Sequence, residues 1–380
     1  MTSKERVLAA MRREPVDYVP CCGHFNPLTP HQRRGRTWNF PWPENAGQAE
    51  QVAYQVKELG LDALVRSGLE LHRPGPDVSS EVWQEGDVLH KRYKTPAGYL
   101  RASVRLTEDW PKGMDIRLFS DFNVGHFVEP WVKEMRDLEC LRHVLVPLST
   151  DEALAANREG AEGCMALAEK HGLATLAHVG LGLTGAMHLF GVEGICLAVA
   201  EQPGLVDAYL EHEHRMNLTG IAVAGALGYD TVRRNGFYET ADFYGPATLG
   251  RFLKPRLQAE AAAAHRLGML ADYTAHTGLM PILDYMASLD FDSIHGADIA
   301  FHGVDTAKIR EKLCPSKALW TGPSSTFHIW KGPEETRQAV RDVFECFGKT
   351  GLILTQCVSS HSIMPWESTL AMIDEWKKLR

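Results

Sequence analysis

The sequence predicts an α/β fold in which eight parallel strands alternate with helices and close into a (β/α)8 TIM barrel, with a β-hairpin inserted after the second strand. Three observations predict it. Eight short apolar runs of strand length recur along the chain, and nearly all are separated by a stretch with helical periodicity. Eight repeats over 380 residues suit a closed barrel better than an open sheet. An open doubly wound sheet would also want a Gly-rich phosphate turn after its first strand, and Cys21-Cys22-Gly23-His24-Phe25-Asn26-Pro27 is not one. Residues 1–380 are therefore read as a single barrel domain.

The elements follow in order. Thr2 and Glu5 have the spacing of a capping box and open a helix at the N-terminus. A strand is expected at residues 19–23, a helix at 46–59 and the second strand at 62–66. The stretch from Glu81 to Val104 alternates in the manner of a hairpin, with turns at Glu85-Gly86-Asp87 and Pro96-Ala97-Gly98. Ser149 and Glu152 repeat the capping-box spacing and start a helix over about 151–170. Strands at 174–179, 229–233, 269–275, 291–295, 318–321 and 351–357 then alternate with helices at 204–226, 246–267, 280–288, 305–313, 333–347 and 366–379. Residues 26–45 form a long Pro-rich, aromatic connection, and loops of that length in a compact domain are usually functional.

Composition narrows the function classes. The net charge is −8 without a long basic run, which argues against a nucleic-acid partner. The longest apolar stretch, about 178–200, contains several Gly, a Glu and two His, so it reads as strand, loop and buried helix rather than a membrane span. Eight Cys without a Cys-x-x-Cys pair, and no apolar signal stretch at the N-terminus, point to a reducing cytoplasm.

In a barrel of this kind the loops after the strands carry the chemistry. The first strand delivers Cys21, Cys22 and His24; the third, His178; the fourth, Arg233-Arg234-Asn235. The fifth delivers His276, the sixth His295 and Asp298, and the eighth Cys357 with His361 four residues on. His276, His295, Cys357 and His361 are metal-ligand types, and His276, Cys357 and His361 could supply three zinc ligands with a position left open. The alternative is a set of polar residues lining the mouth and a packed Cys. Phe25, Trp38, Phe40 and Trp42 form either a wall for a flat apolar substrate or a lid packed on the rim. Gln32-Arg33-Arg34-Gly35-Arg36 could bind carboxylates or be a solvated loop.

Several strings match one family. Arg6-Val-Leu-Ala-Ala-Met-Arg-Arg-Glu-Pro-Val-Asp-Tyr-Val-Pro, Tyr93-Lys-Thr-Pro-Ala-Gly-Tyr-Leu and Trp320-Thr-Gly-Pro with Gly332-Pro-Glu-Glu resemble the uroporphyrinogen decarboxylase superfamily. So does Gly351-Leu-Ile-Leu followed by Ser360-His-Ser-Ile-Met-Pro-Trp-Glu. The resemblance runs nearly the whole chain and implies a TIM barrel. The hairpin turn and the Pro-Trp-Glu pattern look more like the corrinoid-dependent zinc methyltransferases than the cofactor-free decarboxylases. That branch implies a methyl group moved between a small donor and a cobalamin on a corrinoid-binding partner protein, with zinc as Lewis acid. It also leaves a homodimer open.

The metal motif departs from the branch. The thiol-using enzymes carry His-x-Cys after the fifth strand, where this chain has His276-Thr277-Gly278; only His276 carries over cleanly. Fewer thiolates leave more charge on the metal and favour an oxygen leaving group, such as that of a methoxyaromatic. The expected roles are catalysis by His276, His361 and His295, metal binding by His276, Cys357 and His361, and substrate binding by His24, Phe25, Trp38, Phe40 and Asn235. The alternatives are a tetrapyrrole decarboxylase using Arg33, Arg34, Arg36 and Arg234, or a non-catalytic corrinoid- or tetrapyrrole-binding protein.

Overall fold

Strands buried on both faces carry continuous apolar runs, and seven of the eight runs read above form such strands. The computed structural model describes residues 1–23, 25, 40–108, 110, 112–119, 126–357 and 364–380. Its strands begin with β1 (Leu64–Gly68), β2 (His72–Arg73), β3 (Ser79–Glu85), β4 (Val88–Thr95), β5 (Gly98–Arg105), β6 (Phe127–Glu129) and β7 (Val146–Pro147). They continue with β8 (Ala174–Val179), β9 (Thr231–Asn235), β10 (Leu270–Thr274), β11 (Ser293–His295), β12 (Ala318–Thr321) and β13 (Leu352–Leu354). One curled, wholly parallel sheet of seven strands runs β1-β8-β9-β10-β11-β12-β13. A separate antiparallel sheet of four strands runs β3-β4-β5-β6.

The run at 19–23 makes a single parallel bridge, Cys21 to Leu354, rather than a full strand. Pro20 has no N–H to donate, which shortens any ladder it enters. Its carbonyl accepts from Leu354 N (2.9 Å), Cys22 N donates to Leu354 O (2.9 Å), and Cys21 O accepts from Asp62 N (2.9 Å). The segment is thus hydrogen-bonded both to β13 at one edge of the sheet and to the residues leading into β1 at the other. The second strand starts at Leu64 rather than 62 because Asp62 is engaged elsewhere: its carboxylate takes Arg6 Nη1 at 2.6 Å and Cys21 N at 3.3 Å.

Strand alternation divides the side chains into two cores. Ala177, Val232, Ala271, Ile294, Leu319 and Leu354 point outward into the core under the helices. Leu64, Ala174, Leu176, Leu270, Trp320 and Ile353 point inward and meet Val7, Leu8, Ala10 and Met11 of the first helix (Ser3–Met11). That helix carries the expected Thr2–Glu5 capping box and packs against the inward face of the curled sheet. Helices Thr150–His171, Pro203–Ala226, Lys254–Arg266, Pro333–Phe347 and Trp366–Leu379 belong to the outer layer. The apolar stretch after β8 becomes two short helices, Leu183–Phe190 and Val192–Glu201, bent by 112° at Gly191; among the described residues no single helix is long and apolar enough to cross a membrane.

Candidate functional site

Toward the C-terminal ends of the curled sheet's strands, inward positions turn from apolar to polar. Register aligns Gly68 with His178, His178 with Arg233, Arg233 with Asp272, Asp272 with Ser293, and His295 with Trp320. A hydrogen-bonded chain crosses the interior. Arg233 Nε donates to Asp272 Oδ2 (2.5 Å), Ser293 Oγ donates to Asp272 Oδ1 (2.6 Å), and Trp320 Nε1 donates to Ser293 Oγ (3.1 Å). The Arg233 guanidinium also lies 5.3 Å from the Trp320 ring centre. Burial pushes the Asp272 carboxyl up, against the pull of Arg233. The Arg66 guanidinium on β1 faces the same interior; burial and then the charge of Arg233 lower it to about 10.

Nearer the mouth, His178 Nδ1 donates to Asn235 Oδ1 at 3.2 Å. Burial, then Arg233 and Arg66, lower this imidazole to about 3, so it is neutral at pH 7. An unfolded His titrates near 6.5, so below that pH the unfolded chain binds a proton that the folded chain does not. Stability therefore falls on acidification from about pH 6.5 toward 3, by at most about 1.4 kcal/mol per pH unit from this group. Urea titrations at about pH 7 and about pH 5 should show a smaller acid loss in His178→Gln than in the wild type. An equal loss in both would remove His178 from the acid response.

His276 follows β10. Its Nδ1 lies 3.0 Å from Gly296 O; a carbonyl only accepts, so Nδ1 carries the proton and Nε2 the lone pair. One face of the ring stacks on Phe237, 5.6 Å between centres and 7° between planes. Burial lowers its pKa, against the backbone bond and Asp298. Gly296 is required here: at φ +80° a side chain is strained, and a Cβ would stand 2.5 Å from the imidazole.

The expected site residues fare differently. His276, His178, Asn235 and His295 all stand at the C-terminal ends of the sheet strands or just past them. His295 is buried, its ring 5.5 Å from that of Trp320. Cys357 is fully buried; its thiol donates to Ala297 O at 3.3 Å, and burial and then Asp298 raise its pKa. His24, Trp38 and His361 lie outside the described residues, as do Arg33, Arg34 and Arg36. Among the described residues no group of three or more His, Cys, Asp and Glu is arranged to hold a metal. Phe25 packs edge-on to Trp42 (5.4 Å), while Phe40 and Trp42 are buried and stacked on each other at 5.2 Å. Those two rings spend their faces on packing, as a rim lid does.

Arg234, expected among cations for substrate carboxylates, is a correction. One residue on from the inward Arg233, it points outward and meets Glu260 (3.2 Å), Glu239 (3.4 Å) and Glu213 (3.8 Å). Reading the sequence for metal ligands passed over Arg66, Asp272 and Phe237. The signal for the first two was a charged residue set inside an apolar strand run.

No protein-family model and no curated protein matches the sequence. Among solved structures, the fold is similar to that of a methyltransferase from Methanosarcina mazei, at TM-score 0.59 and 17% identity over 100% of this chain and 99% of that one. Two partial likenesses are a B12-independent methionine synthase from Shewanella sp. W3-18-1 (14% identity, 58% of this chain and 64% of that one, TM-score 0.36) and a putative one from Listeria monocytogenes (13%, 58% and 68%, 0.40).

Proposed function

We propose that this protein is a methyltransferase of the uroporphyrinogen decarboxylase superfamily, built on a closed (β/α)8 barrel with β3–β6 inserted after its second strand. It moves a methyl group between a small donor held in the ring and a corrinoid on a partner protein. The observation that carries this reading is the end-to-end likeness to the Methanosarcina mazei methyltransferase, with polar side chains gathered at the strand ends. The sequence resemblance supplies the corrinoid, whose reduced form provides the nucleophile that takes the methyl group.

The chain's own residues bind, orient and handle the proton. The inward polar set on β8–β11 holds the small substrate above the apolar plug. Where the transfer methylates a hydroxyl or thiol acceptor, the Nε2 lone pair of His276 takes the proton the acceptor loses. In demethylation the same nitrogen must first be protonated, below its lowered pKa. His276 also fits a metal ligand, since Nδ1 is fixed by a carbonyl. Cys357 could serve only by giving up the bond its thiol donates to Ala297 O, since a metal takes the thiolate.

A methoxyaromatic donor finds its support in Phe237 and Phe25, which are only partly buried. The decarboxylase reading loses Arg234, which faces away from the ring.

Purified protein is incubated with reduced cobalamin and a panel of O-, N- and S-methyl donors, and methylcobalamin formation is followed by absorbance. Transfer from at least one donor is expected, with His276→Ala slower by about 10²–10⁴-fold and unchanged in circular dichroism. Cobalamin bound without turnover would favour the non-catalytic alternative. Uroporphyrinogen decarboxylated while cobalamin stays unmethylated would overturn the reading.

A further inference from the structure

We propose that the ring interior between β1 and β9 binds a carboxylate, with the guanidinium groups of Arg66 and Arg233 as its two cationic ligands. Both side chains occupy inward positions of the sheet: Arg66 follows Leu64 on β1, and Arg233 follows Thr231 on β9, one inward step beyond the level of Leu176, which like Leu64 meets the plug. Arg233 is 2% exposed; its Nε is spent on Asp272, and its Nη2 is buried without a hydrogen-bond partner. The Arg66 guanidinium makes no hydrogen bond or ion pair among the described residues. Arg66 is only partly buried, so a ligand entering by the mouth can reach it.

The charge count separates this place from every other buried arginine described above. Arg6 has two carboxylates, Asp17 and Asp62, and Arg234 has three. The strand interior reverses the balance: among the described residues two arginines face one carboxylate, Asp272, which pairs with Arg233 alone, and the nearby His178 is neutral. One positive charge is left over where water is scarce, and an unpaired buried charge is costly. A planar guanidinium fork matches a carboxylate in geometry, and a single negative charge would restore neutrality. Asn235 and His178 stand toward the mouth, where the rest of a small ligand would lie.

This inference rests on the proposed methyl transfer only in naming the ligand a substrate; binding is measured without turnover. Isothermal titration calorimetry on the full chain compares benzoate, its neutral isostere benzamide, and inorganic phosphate. Benzoate should bind about tenfold or more tightly than benzamide, and Arg66→Gln should lose about tenfold or more of that affinity, with Arg66→Lys between. Because the guanidinium has no hydrogen bond or ion pair among the described residues, ligand-free Arg66→Gln should melt no lower than the wild type. A merely structural Arg66 would lower the melting temperature instead. Equal binding of benzoate and benzamide, binding of phosphate alone, or wild-type benzoate affinity in Arg66→Gln would overturn the proposal. Loss of all methyl transfer with benzoate binding intact would overturn the methyltransferase reading and leave the carboxylate site standing.

Discussion

Arg234→Met is expected to lower the unfolding free energy by about 3–5 kcal/mol, as removal of one partner from a buried ion cluster does. That is a large share of the roughly 5–15 kcal/mol that holds a typical domain folded. The guanidinium sits between the sheet and its helices, 3% exposed, beside Glu213, Glu239 and Glu260. Each carboxylate also does a second job. Glu213 accepts from the backbone N–H groups of Leu181 and Gly182. Glu239 accepts from Leu183 N (2.8 Å) and the Tyr273 hydroxyl (2.6 Å). Glu260 is bonded to His214 (2.7 Å) and Asn217 (3.0 Å). Without the arginine, three buried acids face one another and the turn after β8 loses its anchors. Gly182, at φ +54°, packs directly on the cluster: a Cβ there would stand 2.1 Å from Arg234 Nη2 and 2.2 Å from Glu239 Oε1. Urea titration of the variant, beside a control at the exposed Arg251–Asp207 pair, measures the effect. The control should move by less than about 1 kcal/mol. A shift in Arg234→Met no larger than the control's would show that the cluster is not held by its cation.

The same arginine shows where sequence reasoning stops. The parallel strands were legible because both faces of each are buried, so apolar residues run on without interruption. Their C-terminal ends then pointed to His178, Asn235, His276 and His295. Neighbouring residues on a strand face opposite ways, and nothing local in Arg233-Arg234 says which one turns inward. Register decides it: Arg233 opposite Asp272 faces the inside of the curled sheet, and Arg234 faces out. The partners of Arg234 come from two helices and a loop, so its saturation with acids is invisible in the chain's order. Asp272 was hidden differently, as one charge inside the apolar-looking run Leu270-Ala271-Asp272-Tyr273-Thr274. Pro20 was a visible cue that the first run would pair only briefly. The loop after the first strand lent aromatic rings to the expected substrate wall, yet Phe40 and Trp42 pack on each other. An aromatic string does not say whether its faces meet a ligand or one another.

Asp272→Asn should cost about 3–5 kcal/mol for a reason opposite to that of Arg234. The amide keeps the volume and can still accept from Ser293, but Arg233 then loses its carboxylate partner beside the charge of Arg66. If those two cations share one field, removing either relieves the other. Arg66→Gln placed on Asp272→Asn should then recover part of the loss, giving a coupling of about 0.5–3 kcal/mol in a double-mutant cycle. A carboxylate ligand should act in the same sense, stabilising Asp272→Asn more than the wild type, because it binds the folded ring and not the unfolded chain. Additive losses in the cycle, with no extra stabilisation by benzoate, would mean that Arg66 lies outside the field of Asp272 and that the ring interior carries no surplus charge.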